Sequence, residues 1–156
     1  MRVRIIAVGT RMSAWVDAAY GDYTGRLRAN MPVELVELAV ASRKDAGAPT
    51  KAKAAEAARI MAALAPREHV VALDERSREY STLELAQWLE ERRRSGLDLS
   101  FIIGGPDGLA DGVLQRSQQR WSLSRLTLPH GMVRVLLAEQ LYRATTILAG
   151  HPYHRA

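Results

Sequence analysis

The chain has no cysteine. That excludes a disulfide framework and every thiolate site, metal ligand or nucleophile, and it suits a reducing compartment. Long apolar runs are missing as well. The opening stretch Met1 to Gly9 is too short for a signal peptide, and nowhere do about 18 apolar residues follow one another, so no membrane span is expected and a cytoplasmic location is. Neither G-x-G-x-x-G nor G-x-x-x-x-G-K-[ST] occurs at the glycine-rich turn after Ile103, which argues against a dinucleotide or phosphate loop there. No serine sits in a G-x-S-x-G elbow, which removes that route to covalent hydrolysis. His151 and His154 are three apart but have no further ligand close in sequence, so no metal is expected.

What is present is a chain of 156 residues, 47% hydrophobic, long enough for one packed domain spanning 1–156. The net charge is +5 and most cations are arginine. Such a balance suits a polyanionic partner, and serves equally well to keep a protein soluble.

Hydrophobic periodicity lays out alternating elements. Arg2 to Val8 reads as a strand ended by Gly9-Thr10, and Met12 to Ala29 as a helix. Pro32 to Val40 alternates apolar with acidic residues, as a half-buried strand does. A loop over Ala41 to Pro49 and an alanine-rich helix from Thr50 to Leu64 follow, then a third strand, His69 to Asp74, whose acidic end leads into a polar loop. Ser81-Thr82-Leu83-Glu84 matches a capping box and opens a helix to about Arg94, with Gly96 past its end. Arg92, Arg93 and Arg94 fall in its last turn, where cations suit the helix dipole. Leu97 to Ile103 is a fourth strand, Ala110 to Arg120 a short helix, Trp121 to Leu128 a fifth strand and Met132 to Leu148 a long amphipathic helix. This alternation predicts a three-layer, Rossmann-like, mostly parallel α/β sheet.

Two of these strands end in turns fit for a ligand, the position where α/β sheets bind small molecules. Gly104-Gly105-Pro106-Asp107-Gly108 would let backbone approach a bound molecule, and Asp107 favours a cationic or neutral one; a plain turn is the other reading. The second is the run from Ser124 to Pro129. In the tail, Tyr153 can stack on a base, His151 and His154 can donate hydrogen bonds or move protons, and Arg155 can hold phosphate. Short polar tails are more often frayed ends.

Taken together, Val-Gly-Thr after the first strand, Ile-Gly-Gly-Pro-Asp-Gly, Ser-Leu-Ser-Arg-Leu-Thr-Leu-Pro-His, Arg-Val-Leu-Leu-Ala-Glu-Gln-Leu-Tyr-Arg-Ala and the terminal His-Pro-Tyr-His-Arg closely resemble the RlmH family of large-subunit rRNA pseudouridine methyltransferases. The resemblance covers essentially the whole chain and is weakest over 41–68, where nothing functional is carried over. It implies a SPOUT fold, with the C-terminal part threaded into a trefoil knot, and a homodimer. It further implies that S-adenosylmethionine binds at Leu73, Gly104, Gly105, Ser124, Arg125, Leu126, Thr127, Leu128 and Pro129. The target it implies is N3 of a pseudouridine in the helix 69 loop of 23S rRNA, in the assembled 70S ribosome. Candidates to deprotonate or stabilise that imide are Glu139, Tyr142, Arg143 and His154, although Glu139 and Arg143 are also spaced as a simple helix pair. His151, Tyr153, His154 and Arg155 are expected to meet the target nucleotide from the partner subunit's tail. A SPOUT enzyme acting on transfer RNA and a non-catalytic ribosome-binding module are the alternatives.

Overall fold

The computed structural model describes residues 1–44 and 48–155. Residues 45–47 of the expected 41–49 loop, and Ala156 of the tail, lie outside the described residues. Five strands, β1 (Val3–Val8), β2 (Val33–Leu38), β3 (His69–Glu79), β4 (Leu99–Ile103) and β5 (Gln119–Ser122), form one sheet in the order β2-β1-β4-β3-β5. Every pairing between neighbours is parallel. The helices are α1 (Ala14–Leu27), α2 (Ala48–Ala63), α3 (Thr82–Ser95), α4 (Asp111–Arg116) and α5 (His130–Leu148), and a single 3-10 turn spans Pro152–His154.

A parallel sheet is covered on both faces, and its central strands are correspondingly apolar. β1 and β4 are buried at every position. Alternation then divides their side chains between two cores. Val3, Ile5, Ala7, Leu99, Phe101 and Ile103 pack with α1, α3 and α5, whereas Val8 and Ile102 pack with Ile60 of α2 and Val113 of α4. A T-shaped Trp88–Trp121 pair, with ring centroids 4.7 Å apart, closes the first core over β5. Among the described residues, no helix is long and apolar enough to cross a membrane.

Capping chemistry read from the sequence is realised at α3. Ser81 Oγ accepts from the Glu84 main-chain N–H at 3.2 Å, and Glu84 accepts from the Ser81 N–H at 2.7 Å. Gly96 ends the helix at φ 71°, and Arg93 and Arg94 pair with Glu90 one turn back.

Several boundaries differ from expectation, and those of β3, β5 and the short helix differ for gain or lack of a strand partner. β3 does not stop at Asp74. Both Leu73 and Arg78 pair with Trp121, so residues 74–77 bulge out of the strand before pairing resumes to Glu79. Within the bulge, Asp74 accepts from the Arg76 N–H and the Ser77 hydroxyl. The expected strand Trp121–Leu128 keeps only its first two residues, because β3 ends at Glu79, opposite Ser122, and β5 has no strand on its outer side. Loop replaces the remainder, and α5 starts two residues early, at His130. The short helix stops at Arg116, since Gln119 and Arg120 are taken into β5.

Candidate active site

β1 connects outward to β2 while β4 connects the other way to β5, so the chain changes direction between β1 and β4. The crevice beyond the carboxyl ends of such a strand pair is where open α/β sheets bind ligands. A cleft of about 830 Å³ lies there, a volume in the range of small-molecule sites. Segments following all five strands contribute: Gly9 and Thr10, Val40, the 74–76 part of the β3 bulge, Gly104 to Leu109, and Leu123 to Pro129.

Of the positions singled out for a methyl donor, Leu73, Gly104, Gly105, Ser124, Leu126, Thr127, Leu128 and Pro129 line this cleft. Arg125 does not; its side chain is turned out to solvent and meets Glu79 at 3.3 Å. Leu126 is 73% exposed, an apolar side chain left largely open to solvent. The walls are apolar at Leu73, Ile103, Leu109, Leu114 and Leu128, and carry four carboxylates, Asp74, Glu75, Asp107 and Asp111, against the two cations Lys53 and Arg76. That excess favours a cationic ligand. Trp121, another wall residue, has a buried indole N–H without a partner among the described residues.

The two glycines have a reason the sequence did not show. A Cβ on Gly104 would lie 2.9 Å from the Gly108 carbonyl carbon, and one on Gly105 would lie 2.8 Å from Glu56 Oε1. Close approach of the chain to itself demands glycine here. The Gly108 N–H donates to the Gly105 carbonyl at 3.0 Å, which makes this segment the tight turn that Asp107-Gly108 predicts.

Nothing functional was expected from 41–68, yet α2 and the segment before it support this turn. Glu56 is almost fully buried, accepts from the Ala41 N–H at 3.0 Å and is bound by Arg43, which also reaches Asp107 at 2.8 Å. The signal was legible: Ala52, Glu56 and Ile60 share the buried face of an otherwise alanine-rich helix.

Arg134 and His130 were missed too. Arg134 is 1% exposed and interrupts the apolar stripe of α5 formed by Leu137 and Leu141. Its Nη1 donates to Glu37 at 2.7 Å, Nη2 to the Gly9 carbonyl at 2.8 Å and Nε to His130 Nε2 at 3.0 Å. His130 Nδ1 lies 3.0 Å from the Gly104 carbonyl.

Glu139, Tyr142 and Arg143 form a second cluster with Tyr153, outside the cleft. Arg143 donates to Glu139 at 2.8 Å, the Tyr153 hydroxyl is 3.2 Å from the same carboxylate oxygen, and the Tyr142 and Tyr153 rings are 4.6 Å apart. Burial and the neighbouring Tyr23 push the Tyr153 hydroxyl up to about 12. His151 accepts from the Tyr153 N–H, and His154 has a buried Nδ1 without a partner. From His130 to Arg143 the helix advances about 20 Å, so the tail and the cleft sit at different ends of α5 in one subunit.

The family profile SPOUT_MTase, described as "Predicted SPOUT methyltransferase", matches residues 1–154. The chain is 49% identical over 155 residues, covering 99% of both sequences, to a protein of Hahella chejuensis named Ribosomal RNA large subunit methyltransferase H. It is 50% identical over 156 residues, the full length of both, to the protein of the same name from Bordetella petrii. Among solved structures, a probable methylase family protein from Haemophilus influenzae Rd KW20 matches with a TM-score of 0.56 at 14% identity, over 99% of this chain and 70% of that one. TrmJ from Z. mobilis ZM4 matches at 0.53 and 15%, over 94% and 71%. The structures share the fold, the sequences extend end to end, and the chain belongs to the SPOUT methyltransferases, within the family named ribosomal RNA large subunit methyltransferase H.

Proposed function

We propose that the protein transfers the methyl group of S-adenosylmethionine to N3 of a pseudouridine in the helix 69 loop of 23S rRNA, with the assembled 70S ribosome as substrate. The observation that carries this reading is full-length identity near one half to proteins named for large-subunit rRNA methylation, in a chain whose cleft suits a cationic nucleoside. The donor fits the residues present: apolar walls for an adenine, carboxylates for a sulfonium and an ammonium, and an unpartnered indole N–H.

When bound, the donor supplies an activated methyl group on sulfur, so the protein forms no covalent intermediate. Its own task is alignment. Leu73, Leu128 and the Gly104-Gly105 turn hold the donor, the loop Ser124 to Pro129 closes over it, and the site gains rate by orienting the two reactants and excluding water. On this reading the loops after β4 and β5 are the crossing of a trefoil knot. The target N3 is a weakly acidic imide, and Arg143, Tyr142 and His154 are the groups offered to stabilise or receive its proton. Glu139, already bound by Arg143 and Tyr153, anchors the tail.

The active unit is a homodimer. Because the tail lies far along α5 from its own cleft, a second copy is needed to bring His151, Tyr153, His154 and Arg155 to a bound nucleotide. Exposed apolar side chains support such an interface: Met132 and Leu136 sit one turn apart on α5, and Trp15 precedes Val16, which packs against Gly131 at the start of that helix. The test is transfer of label from S-adenosylmethionine to 70S ribosomes of a strain lacking this modification, with separated subunits and bulk transfer RNA in parallel and the nucleoside identified by mass spectrometry. Methylated pseudouridine from 70S particles is expected. Label confined to transfer RNA would overturn the substrate, and donor binding without transfer to any of them would leave a ribosome-binding module.

A further inference from the structure

His130 has a protonation pattern dictated by its two partners. A carbonyl oxygen can only accept, so the nitrogen facing Gly104 carries the hydrogen; a guanidinium N–H can only donate, so the nitrogen facing Arg134 carries the lone pair. The ring is therefore the neutral Nδ1–H tautomer. The buried Arg134 guanidinium directly bonds Glu37 on β2 and the Gly9 carbonyl after β1, and through His130 it reaches the Gly104 carbonyl after β4. Gly9 takes part with φ 145°, a backbone conformation that L side chains rarely adopt; a Cβ there would lie 3.2 Å from Met12 Cε and in ordinary contact with His130 Nε2 and Arg134 Nη2, so the backbone angle is what asks for glycine.

We propose that His130 is a positioning residue, held neutral between Arg134 and Gly104, which locks the Gly104 turn to the start of α5 and so sets the shape of the donor cleft. Its effect on donor binding rests on the methyl-donor reading above; its effect on the turn does not. Gly104, Pro129 and His130 itself all line the cleft, so a turn released from His130 widens the site between β4 and α5. A second proton on the ring would have to occupy the Nε2 lone pair, replace an accepted hydrogen bond with two opposed donors and set a cation beside the guanidinium. The groups facing the ring and its arginine are Arg134 on α5, Glu37 on β2, the Gly9 and Gly104 carbonyls and, on α1, Tyr20, whose hydroxyl burial holds at about 12. Burial first, and Arg134 next, hold the imidazole below the ordinary histidine range. The lock is accordingly closed at neutral pH and opens in acid.

The experiment compares wild type, His130→Phe and His130→Asn, each checked by thermal melting, in two readouts. Hydrogen exchange without ligand reports the turn: His130→Phe, which fills the space but cannot hydrogen-bond, speeds exchange of the 104–109 amides, while His130→Asn, which retains an N–H donor, protects them better. Calorimetry with S-adenosylmethionine reports the cleft: His130→Phe raises Kd about tenfold, the scale of one hydrogen bond, and His130→Asn recovers most of that loss. Because the ring is held below the ordinary histidine value of about 6.5, wild-type affinity is unchanged through that value and falls only in more acid solution, and this acid limb is missing in His130→Asn. Unaltered exchange, an unaltered Kd in a folded His130→Phe protein, or the same acid limb in His130→Asn would each overturn the proposal. Should His130→Phe not fold, the pH profiles of the other two proteins still decide it. Absence of donor binding by wild type would overturn the donor assignment instead, and exchange of the 104–109 amides would still decide the lock.

Discussion

Arg43 Nε meets Asp107 Oδ2 at 2.8 Å, while Nη1 of the same guanidinium meets Glu56 Oε2 at 2.8 Å. One side chain from the segment after β2 therefore ties the glycine-rich turn after β4 to a buried carboxylate on α2. Replacing Arg43 by alanine strands Glu56 without its cation, and the expected loss is about 2–3 kcal/mol of folding stability, below the range of a fully buried pair because Arg43 is partly exposed. Asp107→Asn, at the more exposed end, costs less than about 1 kcal/mol. Urea denaturation of the two variants measures the difference, and equal losses would contradict it.

The glycines of the turn separate by what surrounds them. Gly104→Ala drives a methyl group into Gly108 backbone, which cannot swing aside, and is expected to destabilise by about 1–3 kcal/mol. Gly112 in α4 has open space around it, so Gly112→Ala leaves stability equal or improves it by up to about 1 kcal/mol. Thermal melts of both decide this, and a harmless Gly104→Ala would mean that the turn yields easily.

Acid weakens the fold through two kinds of group. Burial alone would raise the Glu68 carboxyl, but the Ser100 hydroxyl, Arg4 and the Ala65 N–H together hold it below the usual carboxylate range. A depressed acid contributes stability that is fully present above its unfolded pKa of about 4.3 and is lost as pH falls through the folded value. Burial likewise depresses His69. For that histidine the unfolded chain takes up protons first, so stability declines as pH falls from about 6.5 towards the folded value. Stability measured from pH 8 to 3 should fall in two stages, and Glu68→Gln should shrink the lower one, to which the capping Glu84, also held low by its Ser81 hydrogen bonds, contributes too.

Removing Pro152 to Ala156 deletes the ring packed at a tilt against Tyr142 and the hydroxyl bonded to Glu139. Methyl transfer to ribosomes is expected to be abolished while S-adenosylmethionine binds nearly as before, and full activity in the truncated protein would remove the tail from the site. Arg143→Ala, with the dimer intact, is expected to lower kcat/KM about tenfold.

Leu136→Glu places a charge on the exposed apolar side of α5. Sedimentation is expected to show a dimer for wild type and a monomer for the variant, and transfer should fall with it. A dimeric variant would place the interface elsewhere.

The local part of this architecture was written in residue patterns. Short apolar or alternating runs marked all five strands, the Ser81 to Glu84 box marked α3, and Asp107-Gly108 marked the turn, because each depends on neighbours a few residues away. The motifs around Gly104 and Ser124 also pointed to strand ends, and those ends do meet in one cleft. Tertiary structure decided what depends on partners far along the chain. Trp121 to Leu128 alternates like a strand but loops out after Ser122, because β3 has no residue left to pair with it. Arg134 reads as an ordinary helix cation until the fold buries it among Glu37, Gly9 and His130, 97, 125 and 4 positions away. Hydrophobic periodicity is local and visible in one dimension; satisfaction of a buried charge depends on which strand ends the fold brings together, and that is settled only in three.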